Sequence, residues 1–159
     1  MNYQLRTARE DDIPQLHQFI CDLAEYEKAL SEVKCTPATL AESLFCETPT
    51  GHAMIIELAG VAVGYVIYFY NYSTWEAASG LYLEDLYIDP AYRGQGAGME
   101  TMRRLAAMAI EQGCIRFEWS VLDWNTPSIE FYESLSAKAQ SEWLGYRLEG
   151  DALSKLAGK

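Results

Sequence analysis

Arg93-Gly94-Gln95-Gly96-Ala97-Gly98 is the stretch in which residue types and spacing most plainly imply chemistry. Three glycines in five positions give the backbone conformations that side chains forbid, and they let its amides approach a ligand closely. The turn lies between a strand-like run and an amphipathic stretch. Unpaired amides and the positive end of a helix dipole therefore meet there, and a phosphate is the natural occupant. A Walker loop would end in Gly-Lys-Ser/Thr, but this turn runs into Met99-Glu100-Thr101. A dinucleotide fingerprint would space its glycines Gly-x-Gly-x-x-Gly directly after the strand, whereas here they follow Asp89-Pro90 and Arg93 as Gly-x-Gly-x-Gly. What remains is Arg-x-x-Gly-x-Gly with Arg93, Gly96 and Gly98 in register, or a glycine turn without a ligand.

Upstream, Glu84 and Asp85 are neighbours in a strand-like run. Alternation sends their side chains to opposite faces, so one can face a site while the other turns away. Downstream, Tyr132 follows Phe131; one aromatic suits a core, and Tyr132 has a hydroxyl able to carry a proton. His17 and His52 lack triad or metal partners in the sequence, and the hydroxyl residues form no Ser-His-Asp set. Cys21, Cys35, Cys46 and Cys114 make no Cys-x-x-Cys pair and stand at no metal-ligand spacing. No metal is expected, and Cys21 and Cys114 are expected as buried thiols.

The elements that must position these residues follow from periodicity. Tyr3 to Ala8 alternates as a strand. Asp11 or Asp12 can cap a helix with Pro14 in its first turn, and Ile13, Leu16, Ile20, Leu23 and Ala24 mark its buried stripe. Thr36-Pro37 opens a second helix. Ala53 to Ala59 and Val61 to Tyr70 flank Gly60 as a hairpin, and Leu81 to Ile88 is the strand entering the glycine turn. Met99, Met102, Leu105, Ala106 and Ala109 form the inward stripe of a long helix ending near Gly113. A strand follows at Ile115 to Leu122, a helix starts at Thr126-Pro127-Ser128, and the tail offers two short strands, the second around Tyr146-Arg147-Leu148. This order is an α/β layer fold, with a ligand expected where a strand hands over to a helix.

A chain of 159 residues fits one domain, 1–159, and its 50% apolar content supports an ordered core. No apolar run reaches membrane-spanning length, and the opening Met1-Asn2-Tyr3-Gln4-Leu5-Arg6 lacks a secretory stretch, so a cytoplasmic protein is expected. Twelve basic residues against 23 acidic ones give a net charge of −11. That surface repels a phosphate backbone, which argues against nucleic acid as partner and favours a cationic one.

The segment Leu83 to Arg93, the Arg-x-x-Gly-x-Gly turn and Asn125-x-x-Ser128-x-x-Phe131-Tyr132 together resemble the GNAT superfamily of acyltransferases. Leu23 to Glu27, Leu81 to Asp85, Trp124 to Ser128 and Gly145 to Leu148 resemble its diamine (spermidine/spermine) acetyltransferase branch, which includes thialysine acetyltransferases. The resemblance implies the GNAT fold, a mixed central sheet of about seven strands with about four flanking helices. It implies acetyl-CoA as co-substrate, a small cationic amine as acceptor, and a homodimer. Cofactor contacts would come from Leu86, Tyr87 and Ile88, from Arg93, Gly94, Gln95, Gly96, Ala97, Gly98 and Met99, and from Asn125, Ser128 and Tyr132. Tyr26, Glu27, Glu84, Asp85, Glu118, Trp119 and Ser120 would line the amine. Glu84 would hold the ammonium or relay its proton, and Tyr132 would protonate the departing thiolate.

Each of these roles has a plainer counterpart. Asn125 and Ser128 can cap a helix, and Tyr26 and Glu27 can be a solvated helix end. Glu84 can be a strand-end ion pair. The chain also departs from the branch: Glu133-Ser134-Leu135-Ser136-Ala137 stands where basic residues usually follow Phe-Tyr, leaving Lys138. Trp143-Leu144 stands where polyamine enzymes carry acids, leaving Glu142. Fewer acids weaken the hold on a long polycation more than on a short amine. A peptide acetylase and a non-catalytic acyl-CoA sensor are the alternatives.

Overall fold

Residues 3–159 are described in a computed structural model; Met1 and Asn2, the first residues of the opening stretch, lie outside the described residues. The chain divides into two compact units, Met1–Ser120 and Val121–Lys159. The first holds β1 (Tyr3–Thr7), α1 (Ile13–Tyr26), α2 (Pro37–Leu44), β2 (His52–Leu58), β3 (Val61–Ser73), β4 (Ala78–Ile88), α3 (Ala97–Glu111) and β5 (Phe117–Trp119). The strands form one sheet in chain order. All pairs are antiparallel except β4 with β5, which are parallel and joined across α3.

Local sequence accounts for most boundaries. Leu58 pairs with Val61, so Ala59 and Gly60 alone make the β2–β3 turn. Both have positive φ, 52° and 80°, as the mirror-image turn of a two-residue hairpin requires. Thr36 caps α2 by accepting from the Thr39 amide, and Pro37 occupies the first turn. Asp12 stands at the N-cap of α1 but does not cap it: its carboxylate takes Arg6 Nη1 at 2.7 Å and Nη2 at 2.8 Å, and the Arg9 amide. The expected cap thus ties the helix entrance to β1, because an arginine fork outcompetes a single amide.

Ile13, Leu16 and Phe19 of α1 and Leu40 of α2 pack on Ala53, Ile55, Tyr65 and Tyr87 of the sheet to form the core. Ile20 and Leu23, expected in the stripe, flank it half-buried. α3 packs on β1 and β4 through a stripe that buries Ala97, Thr101, Met102, Leu105 and Ala109. Cys21 and Cys114 are half-buried, not sealed in the core as expected.

The second unit contains α4 (Thr126–Ser134) and α5 (Gly150–Leu156). The sheet has five strands among the described residues, not about seven, and five α-helices, not about four. The two tail strands account for the difference: residues 137–149 include no strand, and α5 follows them. Trp143, Leu144 and Tyr146 are exposed. An isolated strand is unstable without a neighbour to satisfy its ladder, and the 121–159 unit contains none. No helix of the described residues is long and apolar enough to cross a membrane.

Two substitutions test this account of the sheet. A Cβ on Gly64 would run into the Tyr87 carbonyl, so Gly64→Ala should cost about 2 kcal/mol or more in urea denaturation, as overpacking against backbone does. Ala59→Asn creates the favoured Asn-Gly turn and should gain about 0.5–1 kcal/mol. Equal stability of the wild type and Gly64→Ala would contradict the close β3–β4 approach.

Candidate functional site

The site begins with a fault in the β4 ladder. Ile67 pairs with Asp85 but Tyr68 pairs with Leu83, so Glu84 has no partner on β3 and is the extra residue of a β-bulge. Cross-strand partners share a face. Leu83 and Leu86, three residues apart, therefore lie on the same face, as do Tyr82 and Asp85. Simple alternation is broken between Leu83 and Asp85, which pair with neighbouring β3 residues and so lie on opposite faces, because an inserted residue shifts the parity of everything beyond it.

The bulge also ends the pairing on the other edge. β5 is matched to β4 only at Leu81, Tyr82 and Leu83. From Asp85 to Ile88, β4 is paired to β3, and no strand among the described residues pairs with its other side. Leu86, Tyr87 and Ile88, the expected cofactor strand, lie in this open stretch. Such an edge is a row of backbone donors and acceptors available to an extended ligand.

The two carboxylates differ sharply. Glu84 is exposed and enters none of the ion pairs made by Arg6, Arg104 and Arg116. The ion-pair reading of Glu84 thus finds no arginine partner. Asp85 is half-buried and accepts a hydrogen bond at Oδ2 from the Tyr65 hydroxyl at 3.1 Å. Burial pushes the Asp85 carboxyl up to about 6; the Tyr65 hydroxyl pulls it down, and Glu84 and Glu27 push it further up. Glu27, at the C-cap of α1, is exposed as a residue, yet enclosure around its carboxyl raises its proton affinity as well. Three acids thus share one electrostatic neighbourhood, in which burial raises the Asp85 carboxyl to about 6.

Tyr65 was not among the expected site residues. The signal lay in the row Val63-Tyr65-Ile67: a tyrosine in an apolar, inward-facing row needs a partner for its hydroxyl. It is fully buried, and its ring is stacked 6.4 Å from Phe19.

Past Ile88 the chain turns sharply. Asp89 accepts from the Ala91 amide at 2.8 Å, and Gln95 Nε2 donates to the Ala91 carbonyl. Arg93 Nε donates to the Ile88 carbonyl at 2.7 Å, with its guanidinium 5.3 Å from the Tyr26 ring centre and 5.6 Å from that of Tyr87. Arg93 therefore braces the turn against the α1 end and β4. Gly94 and Gly96 have φ of 71° and 92°. An added Cβ would meet nothing at either, so conformation and not crowding requires glycine there. Gly96 is the N-cap of α3, and Ala97, Gly98 and Met99 begin the helix with first-turn amides that lack helical partners.

The expected β5 residues lie near β4 but are already engaged. Glu118 Oε2 takes Asn71 Nδ2 at 2.8 Å and pairs with Arg116 Nε at 2.8 Å. Ser120 Oγ bonds the Tyr82 hydroxyl at 2.7 Å, and Trp119 packs edge-on to Phe117. In the second unit, Asn125 caps α4 by accepting from the Ser128 amide, so the capping role of that pair is present. Phe131 and Tyr132 are both half-buried on α4, with ring centres 5.4 Å apart. Burial raises the Tyr132 hydroxyl, which keeps it protonated.

A bulged strand with one edge unpaired, a glycine turn and a helix N-terminus offering free amides form a surface that suits an extended anionic ligand. The profile of the acetyltransferase (GNAT) family matches residues 16–136, and the chain belongs to that family. It is an acetyltransferase and resembles the diamine/thialysine branch. It is 37% identical to a thialysine N-epsilon-acetyltransferase of Sus scrofa, covering 98% of this chain and 97% of that protein. It is 31% identical to spermidine/spermine N(1)-acetyltransferase-like protein 1 of Homo sapiens, over 98% of this chain but 24% of that protein. An integron cassette protein from the mobile metagenome of V. cholerae has the same fold, with a TM-score of 0.81 at 24% identity over 100% of this chain and 99% of that one.

The Asp85 carboxyl supplies a stability test. Its affinity for a proton is higher in the fold, about 6 against an ordinary 3.8. Its contribution is therefore fully present below pH 3.8 and is lost as pH rises through 6. Asp85→Asn should exceed the wild type in stability by about 1–3 kcal/mol at pH 7, with the gap closing toward pH 4. A gap independent of pH would show that Asp85 is not held in this way.

Proposed function

We propose that this chain transfers the acetyl group of acetyl-CoA to a primary amine of a small cation by direct attack in a ternary complex. A thialysine-like amino acid stands ahead of a diamine or polyamine as acceptor. The observation that carries the reading is the bulge at Glu84, which turns Asp85 toward Tyr65 and leaves a backbone edge without a strand partner running into the glycine turn. The 37% identity to a thialysine acetyltransferase over nearly both whole chains supports the amino acid acceptor. Trp143-Leu144 in place of tail acids supports it too. The family match spans residues 16–136, across the boundary between the units, which supports one domain over 1–159.

Acetyl-CoA fits the residues present, and when bound it supplies a thioester carbonyl open to attack by an amine. The amides of Leu86, Tyr87 and Ile88 would pair with its pantetheine arm as an added strand, and one of them would polarise the carbonyl. The amides from Gly94 to Met99 would take the pyrophosphate, with Asn125 and Ser128 as further contacts. Only about one in a thousand primary amines is neutral near pH 7. Asp85, with Glu27, would hold the ammonium, and exposed Glu84 would pass its proton to water. The Tyr132 hydroxyl would then donate a proton to the departing sulfur. Following the resemblance, the working protein would be a cytoplasmic homodimer.

Free-thiol release from acetyl-CoA, measured against diamines, polyamines, amino acids and basic peptides, tests this reading. Turnover should be highest with thialysine-type amino acids. Tyr132→Phe should lower kcat about 100-fold with little change in the acetyl-CoA KM, and Glu84→Gln should lower turnover at least 10-fold. No thiol release with any amine would sink the proposal, and a preference for peptides would redirect it.

A further inference from the structure

Among the described residues, the Asp85 carboxyl accepts a side-chain hydrogen bond from the hydroxyl of Tyr65, 3.1 Å from Oδ2. Three features distinguish this pair from an incidental contact. Tyr65 has no exposed surface, while Asp85 is half-buried and follows exposed Glu84 in the chain. The Tyr65 ring is fixed by Phe19 at 6.4 Å and Tyr87 at 6.2 Å, so the hydroxyl has no freedom to swing to water. The pair also spans the β3–β4 ladder diagonally, from the Tyr65–Tyr87 rung to the Ile67–Asp85 rung, directly beside the bulge. A rigid phenol is thus the internal support of the carboxyl that burial raises to about 6.

We propose that Tyr65 is a positioning residue for amine capture: its hydroxyl aims the Asp85 carboxylate and keeps it ionised, which fixes the lowest pH at which the site binds a cationic acceptor. This deepens the function proposed above and rests on it for the identity of the cation. The groups acting on Asp85 come from each element around it. Tyr65 on β3 favours the charged form, while Glu84 on β4 and Glu27 at the end of α1 oppose it. Cys35, ahead of α2, lies within electrostatic reach of both Asp85 and Tyr65, and His17 of α1 meets the Cys35 carbonyl at 3.0 Å. Without the phenol, Glu84, Glu27 and burial would still oppose the charged form, and Asp85 would hold its proton to higher pH. Ammonium binding would then weaken at neutral pH, because a neutral carboxylic acid offers a cation no charge.

The test is Tyr65→Phe, which keeps the ring and removes the hydroxyl. Loss of one hydrogen bond to an ionised partner corresponds to about one pH unit. The acid limb of kcat/KM for the amine should move up by about that amount. KM for the amine at pH 7 should rise several-fold, with kcat at saturating amine and KM for acetyl-CoA little changed. Carbon-13 NMR titration of the Asp85 carboxyl should show the same upward shift with no substrate present. In an Asp85→Asn background, Tyr65→Phe should leave the remaining pH profile where it is. An unmoved Asp85 titration in folded Tyr65→Phe protein would overturn the proposal whatever the enzyme acetylates. A shifted titration with no acetyl transfer to any amine would instead keep the Tyr65–Asp85 coupling and overturn the function it was placed in. If Tyr65→Phe fails to fold, Tyr65→3-fluorotyrosine decides by direction. Its more acidic phenol is the stronger donor and must lower the Asp85 titration; no change or a rise overturns the proposal.

Discussion

A β-strand with one extra residue cannot stay in step with both of its neighbours, and Glu84 is that residue in β4. On the β3 side the ladder absorbs the insertion and resumes from Asp85 to Ile88. On the β5 side pairing stops at Leu83. The same insertion shifts parity, so that Asp85 comes to face Tyr65 next to the apolar core. An open backbone edge and a half-buried carboxyl are two consequences of one covalent fact. The close β3–β4 approach is maintained where glycine permits it, at Gly64 beneath the Tyr87 carbonyl.

Around this fault the fold separates two kinds of electrostatics. The acids lie where β4 meets the end of α1, and the Tyr65 hydroxyl favours the charged form of Asp85 against the push of Glu84 and Glu27. The positive features lie past Ile88: the α3 N-terminus with its unpaired amides, and Arg93 bridging Tyr26, Tyr87 and the Ile88 carbonyl. A cation is drawn to the first and an anion to the second. Burial sharpens the first, since a carboxyl removed from water interacts more strongly with whatever neutralises it.

Much of this was legible in the sequence where the signal is local. The glycine turn, the Thr36-Pro37 start of α2, the Gly60 hairpin and the Asn125 cap depend on a few neighbouring residues and stand where the sequence puts them. The long-range features were not legible. A bulge is a relation between two strands, so Leu81 to Ile88 alone reads as uninterrupted alternation and puts Leu83 and Asp85 on one face, where the ladder separates them. Asp12 looks like a cap until Arg6, six residues away, competes for it. The tail alternates like strands around Tyr146, but alternation makes a strand only where a neighbour completes the ladder. Tyr65 was overlooked because its partner lies 20 residues on.

The central claim is that the β4 edge beyond the bulge and the glycine turn together hold the acyl carrier. Amide hydrogen exchange with and without CoA reads this residue by residue. The account predicts that the amides of Leu86 to Ile88 and of Gly94 to Met99 gain protection together, while the β1–β2 ladder is unchanged. Protection confined to the turn, or absent from both segments at saturating CoA, would contradict it.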